Sequence, residues 1–156
     1  TVGGFMVGRK GAKMNWSYFY ILPADVFLEK NNNKINEIKG KGTFAWHNNK
    51  REIEINSSVF DDYGVDLLSD LHDKEIVIMD ELGRFELEAT KFQTRVIDVL
   101  RSDKIVLGVV KRENNIFLNK VRDILEEKPL LVKKDNRENI FEIVLNKVKN
   151  MEDKND

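Results

Sequence analysis

Two adjacent carboxylates, Asp80 and Glu81, close the apolar run Ile76-Val77-Ile78-Met79 and are followed within two residues by Gly83. Such a run is long enough to cross a sheet buried on both faces. In an open parallel sheet, ligands sit outside the carboxyl ends of the strands, which aims the pair at a site. An apolar strand ending in Asp-Glu is the Walker B pattern. There the first carboxylate holds Mg²⁺, usually through water, and the second orients or deprotonates an attacking water. The same residues also suit a blander reading, a strand end whose acidic residues begin a turn or cap a helix. The neighbouring elements decide between the two.

Other candidate groups are sparse. His47 and His72 are the only histidines, too few for a histidine-based metal site, and both read as surface residues. There is no Gly-x-Ser-x-Gly elbow, and the absence of cysteine removes thiol nucleophiles, thiolate metal sites and disulfides. Gly8 to Gly11 reads as a hairpin turn rather than a dinucleotide fingerprint, although Arg9, Lys10 and Lys13 suit phosphates. Trp16, Tyr18, Phe19 and Tyr20 suit either stacking on a base or packing among themselves, and packing is the default. Asn136-Arg137 falls between an apolar segment and a helical pattern. A guanidinium there suits a phosphate or a base, and a capping Asn beside a surface Arg suits the pattern equally well.

The elements that would position these groups fall into two styles. Val2 to Val7, Asn15 to Leu22, Thr43 to Trp46 and Glu52 to Ile55 read as short strands. They are separated by the polar connectors Asn31 to Lys34 and Lys39 to Gly42, as in an antiparallel insertion over about residues 9–56. Ser57 to Leu71 is partly helical in spacing, with a break at Gly64. From Ile76 onward the pattern alternates. Apolar runs at Ile76 to Met79, Lys104 to Val110 and Leu130 to Val132 read as strands, and Phe85 to Leu100, Asn115 to Glu126 and a segment after Asn136 read as amphipathic helices. That alternation predicts an α/β fold with a mostly parallel, three-layer sheet and an antiparallel insertion in the N-terminal third. Residues 1–150 form a single domain in this reading and 151–156 a charged tail.

The bulk numbers agree with one globular domain. The 156 residues are 41% hydrophobic and 34% charged, enough for a core under a heavily charged surface. Basic and acidic residues balance, 26 against 27, for a net charge of −1, which gives no electrostatic case for nucleic acid or an anionic membrane. Without cysteine, a signal peptide or a membrane-length apolar run, a cytoplasmic protein is the expectation. Thr1 to Val7 already reads as a strand entering a fold, so the chain is expected to begin inside a domain.

Gly3-Gly4-Phe5, Tyr63-Gly64-Val65-Asp66, Ile76 through Leu87, Phe92 and Asp135-Asn136-Arg137-Glu138 fall in an order and spacing that resembles the THEP1-type nucleoside triphosphatases, P-loop proteins of the AAA-like group. The most specific part is Asp80-Glu81-Leu82-Gly83-Arg84-Phe85-Glu86-Leu87, similar to that family's Asp-Glu-Ile-Gly-Lys-Met-Glu-Leu. The resemblance implies Mg²⁺-dependent hydrolysis of ATP, GTP or other nucleoside triphosphates to the diphosphate and phosphate. It gives Asp80 the metal, Glu81 the water, and Asn136 and Arg137 the nucleotide.

Two departures qualify these expectations. The family's glycine-rich phosphate loop with Lys and Ser/Thr has no counterpart in the 156 residues. It is expected just upstream of Thr1, so that the polypeptide as given hydrolyses little and exposes apolar surface unless covered. After Gly-Gly-Phe the family continues with Thr and Glu, where this chain has Met6-Val7-Gly8-Arg9, which implies a diverged specificity or a weakened site. The rival expectation is a non-catalytic nucleotide-binding or interaction module that has lost the loop.

Overall fold

A computed structural model describes residues 1–11 and 18–155. Lys13 and Trp16, candidates from the sequence, lie outside the described residues. The elements in chain order are β1 (Val2–Lys10), β2 (Tyr18–Pro23), α1 (Ala24–Leu28), α2 (Asn32–Gly42), β3 (Thr43–His47), β4 (Ile53–Ile55), a π-helical turn (Phe60–Gly64), α3 (Val65–Leu67), β5 (Ile76–Leu82), α4 (Thr90–Leu100), β6 (Ile105–Val110), α5 (Ile116–Ile124) and α6 (Arg137–Asn155).

One sheet of six strands runs in the order β4-β3-β2-β1-β5-β6. β1, β5 and β6 are parallel, whereas β2, β3 and β4 extend the β1 side as an antiparallel meander. The alternation from Ile76 onward and the antiparallel insertion therefore meet in a single mixed α/β sheet, with β1 as the strand shared by both styles. Gly4 makes that junction close: it holds φ +90°, and a Cβ there would sit 2.0 Å from the Ile78 carbonyl oxygen.

The core lies under one face of the sheet. Phe5, Val77 and Met79 point into it and are fully buried, against Phe92 and Val96 of α4 and Phe117 and Leu118 of α5. A ladder of rings runs through it, from Phe5 to Phe92 (5.4 Å between centroids), Phe92 to Phe60 (5.1 Å), Phe60 to Phe44 (4.5 Å) and Phe44 to Phe85 (5.5 Å). Gly64 lets Phe92 close on the π turn, since a Cβ there would meet the Phe92 ring at 2.9 Å. The expected break at Gly64 is thus a wide turn within a continuous helical segment rather than an interruption.

Several expectations change. Ile76 and Ile78 remain half-buried, so β5 is fully covered on one face and partly on the other. The segment read as a third strand, Leu130 to Val132, forms no strand; its side chains are exposed, and Asn136 binds the Leu131 carbonyl within it and the Lys133 N–H just after it. Pro129 before it also removes a ladder donor. The connectors at Asn31 to Lys34 and Lys39 to Gly42 are instead the two ends of α2, capped by the Asn31 side chain accepting from the Lys34 N–H at 3.1 Å. The C-terminal charged segment continues α6 as far as Asn155.

Candidate functional site

β5 carries Asp80 and Glu81 to its C-terminal end, where the parallel strands β1, β5 and β6 all finish on one edge. Asp80 stands opposite Met6 of β1 and Val109 of β6. The ladder to β6 skips a register between Asp80 and Leu82, which leaves Glu81 in the irregularity. Asp80 and Glu81 are both half-buried. The Asp80 side chain has no hydrogen bond or ion pair with any described residue, and burial alone pushes its carboxyl above the ordinary aspartate value.

The turn after β5 is tightly bound. Lys111 donates its N–H to the Leu82 carbonyl at 2.8 Å, and Asn115 Nδ2 reaches the Gly83 carbonyl at 3.5 Å while its Oδ1 caps α5 through the Leu118 N–H at 2.8 Å. The main device, however, is Glu86. It is the one charged side chain buried below the surface among the described residues, at 2% exposure, and its Oε1 accepts the Gly83 N–H at 2.5 Å. Burial pushes the Glu86 carboxyl up to about 7. The N–H groups of Gly83 and of Glu86 itself pull it down, and repulsion from Glu81 and Glu113 pushes it up further.

This arrangement corrects the helix expected from Phe85. Residues 85–88 are a turn, and α4 begins at Thr90. Gln93 Nε2 donates back to the carbonyls of Glu86 (2.7 Å) and Leu87 (2.9 Å), closing the turn from the helix side. Phe85 anchors it below, against Phe19 (5.0 Å) and Phe44 (5.5 Å). Phe19 is therefore spent on packing rather than on a base. A small cleft opens beside the turn, between Glu81, Arg84, Glu86 and Lys111, with Phe44 and Phe60 behind them. Across it Arg84 and Lys111 each lie 3.9 Å from the Glu113 carboxylate.

The other candidates do not line this cleft. Asn136 uses its amide locally: Nδ2 donates to the Leu131 carbonyl at 2.9 Å and Oδ1 accepts the Lys133 N–H at 2.6 Å. Arg137 is the exposed first residue of α6, with no hydrogen bond or ion pair to a described residue. His72 pairs with Asp70 on the surface at 2.6 Å, and His47 ends β3. Arg9 lies over the Phe19 ring at 5.7 Å. Among the described residues no group of three His, Cys, Asp or Glu side chains could hold a metal, and no helix is long and apolar enough to cross a membrane. A single half-buried carboxylate without a protein partner still fits Mg²⁺, which is commonly bound by one or two carboxylates with waters and substrate phosphates completing the shell. Glu86, Lys111, Glu113 and Asn115 were not singled out by sequence. The available signal was a carboxylate three residues after a turn glycine, the spacing at which a side chain reaches back to a free N–H.

Comparison with known proteins gives this edge of the sheet a context. A nucleoside-triphosphatase THEP1 of Methanocaldococcus jannaschii is 38% identical over 89 residues, covering 56% of this chain and 49% of that protein. One from Thermotoga maritima is 26% identical over 77 residues, covering 49% and 44%. The chain thus spans about half the length of the curated relatives it matches. The crystal structure of THEP1 from the hyperthermophile Aquifex aeolicus superposes with a TM-score of 0.66 at 16% identity, over 94% of this chain and 83% of that one, a likeness of fold. The model of the family described as NTPase matches residues 24–145, most of the chain and all of β5, its carboxylates and the turn beyond, and on that match the chain belongs to the NTPase family.

Proposed function

We propose that the protein hydrolyses nucleoside triphosphates to the diphosphate and phosphate, with Asp80 holding Mg²⁺ and Glu81 acting on water. The observation that carries this reading is the Asp80-Glu81 pair in a member of the NTPase family: half-buried, at the open C-terminal edge of three parallel strands, with Asp80 lacking any protein partner. When bound, the metal would supply positive charge to the phosphate oxygens. Glu81 would orient the attacking water and take its proton. The water oxygen bonds to the γ-phosphorus as the bond to the β–γ bridging oxygen breaks, and that oxygen leaves with the diphosphate. Arg137, exposed and uncommitted, is suited to meet the nucleotide, and Asn136 shapes the loop that presents it. ATP and GTP are the substrates to test first.

The reaction needs a loop whose N–H groups and Lys cradle the β- and γ-phosphates. None of the 156 residues forms Gly-x-x-x-x-Gly-Lys-Ser/Thr, so this reading requires the loop from a segment other than these residues. Codons upstream of Thr1 encoding such a motif support the enzyme, whereas their absence favours a nucleotide-binding or interaction module without catalysis.

The decisive variant is Glu81→Gln in the intact gene product. A base and water-orienting group contributes roughly 10²–10⁴-fold, so turnover of Mg·ATP and Mg·GTP should fall by at least about 10²-fold with nucleotide affinity preserved. Wild-type rates in the variant would sink the assignment.

A further inference from the structure

We infer that Glu86 is a positioning residue for hydrolysis: its buried carboxylate, by gripping the Gly83 N–H, fixes the turn that sets where Glu81 stands. The inference rests on the proposed role of Glu81 and extends it to a side chain that touches neither metal nor nucleotide. Glu81 lies in the register slip of β5, so the strand ladder does not fix it on the β6 side. The next constraint along the chain is the Leu82-Gly83 peptide, held from two sides. Lys111 N–H binds the Leu82 carbonyl at 2.8 Å, and Glu86 Oε1 takes the Gly83 N–H at 2.5 Å. Phe85 and Gln93 hold Glu86 itself in place, through ring contacts to Phe19 and Phe44 and through the Glu86 and Leu87 carbonyls.

A turn could be held by a neutral acceptor. Here the acceptor is an acid, wholly buried and flanked by two more carboxylates, Glu81 and Glu113. The cations near it, Arg84 and Lys111, line the same cleft but lie toward Glu113, each at 3.9 Å. Ionisation of Glu86 converts a neutral hydrogen bond to Gly83 into a charge-assisted one, shorter and about twice as strong. The grip on the Glu81 turn therefore tightens as the pH rises through about 7.

The test uses the intact gene product with Mg·ATP, comparing wild type, Glu81→Gln, Glu86→Leu and Glu86→Gln from about pH 5.5 to about 9, a range that spans the Glu86 value of about 7. Glu86→Leu removes the acceptor and should lower kcat by about 10–100-fold, with KM within about threefold, because misplacing a reacting group costs on that order. Glu86→Gln keeps a carbonyl acceptor and should restore most of kcat while losing the rise near pH 7. Wild-type kcat in Glu86→Leu, or equal losses in kcat and nucleotide affinity, would overturn the inference. If Glu86→Leu does not fold, the Gln variant decides, and an unchanged inflection near pH 7 refutes it. Turnover abolished by Glu81→Gln but intact in both Glu86 variants overturns this inference alone. A wild type that hydrolyses no nucleotide overturns the underlying reading as well.

Discussion

Replacing Glu86 by Gln should make the protein more stable, and the gain should depend on pH. The Glu86 carboxyl is raised from 4.5 to about 7 in the fold. The unfolded chain loses this proton near 4.5, whereas the native protein keeps it until about 7. Between those values the native state binds more protons, so stability falls as pH rises, and the loss is complete above about 7. A displacement of that size corresponds to about 3 kcal/mol, at 1.36 kcal/mol per unit. Gln has nearly the same shape, keeps an acceptor for the Gly83 N–H and never ionises. Glu86→Gln should therefore match the wild type near pH 4.5 and exceed it by about 3 kcal/mol at pH 8, a difference that cancels the other titrating groups. With a urea slope of about 2 kcal/mol per M for a chain this long, the midpoints should separate by about 1.5 M. Urea titrations of both proteins at the two pH values read this directly. A separation that is the same at both would refute the claim that Glu86 is buried against its charge.

Asp80→Asn removes the other carboxyl raised by burial, so its thermal midpoint without Mg²⁺ should lie above that of the wild type at neutral pH. Adding Mg²⁺ should raise the wild-type midpoint and leave the variant where it was; equal responses to the metal would dismiss Asp80 as its ligand. Phe92 is fully buried, with rings at 5.4 and 5.1 Å and Gly64 against its edge, so Phe92→Ala should cost about 3–5 kcal/mol in urea denaturation. A loss under about 1 kcal/mol would mean that the ring ladder does not hold the core.

The parts of this fold that the sequence displays are those whose apolar pattern is continuous. Ile76 to Met79 and Ile105 to Val110 are unbroken apolar runs and became adjacent parallel strands. Val96 and Val99, at helical spacing from Phe92, became the buried face of α4. The failures come where a side chain replaces a regular backbone pattern. Helix α2 carries four asparagines and two glycines in and around it, a composition that reads as loop; Asn31 caps it, and Gly42 packs directly on the Ile21 carbonyl. The apolar spacing around Phe85 and Leu87 matched a helix, but Glu86 and Gln93 satisfy those backbone groups as a turn. Leu130 to Val132 had the composition of a strand but pairs with none, and Asn136 takes the Leu131 carbonyl instead. Asp80 and Glu81 were visible because they interrupt an apolar run. Glu86 was hidden because a carboxylate on an amphipathic segment looks like a solvated face, and only the fold turns it inward.

The placement of the two raised carboxyls argues that the edge of the sheet was not shaped for stability. Asp80 lies near the end of its strand, half-buried and with no partner for its side chain, and Glu86 is wholly buried beside two like charges. An Asn and a Gln would satisfy the same geometry without either desolvation cost. Strain of this kind, concentrated within seven residues at the carboxyl ends of parallel strands, is where chemistry is to be sought. The contrast with His72 and Asp70 is informative: that pair is equally polar but solvated, and it does not line the cleft. What distinguishes the Asp80 to Glu86 segment is that its charges are held where they are least comfortable, by a turn that would be more stable without them.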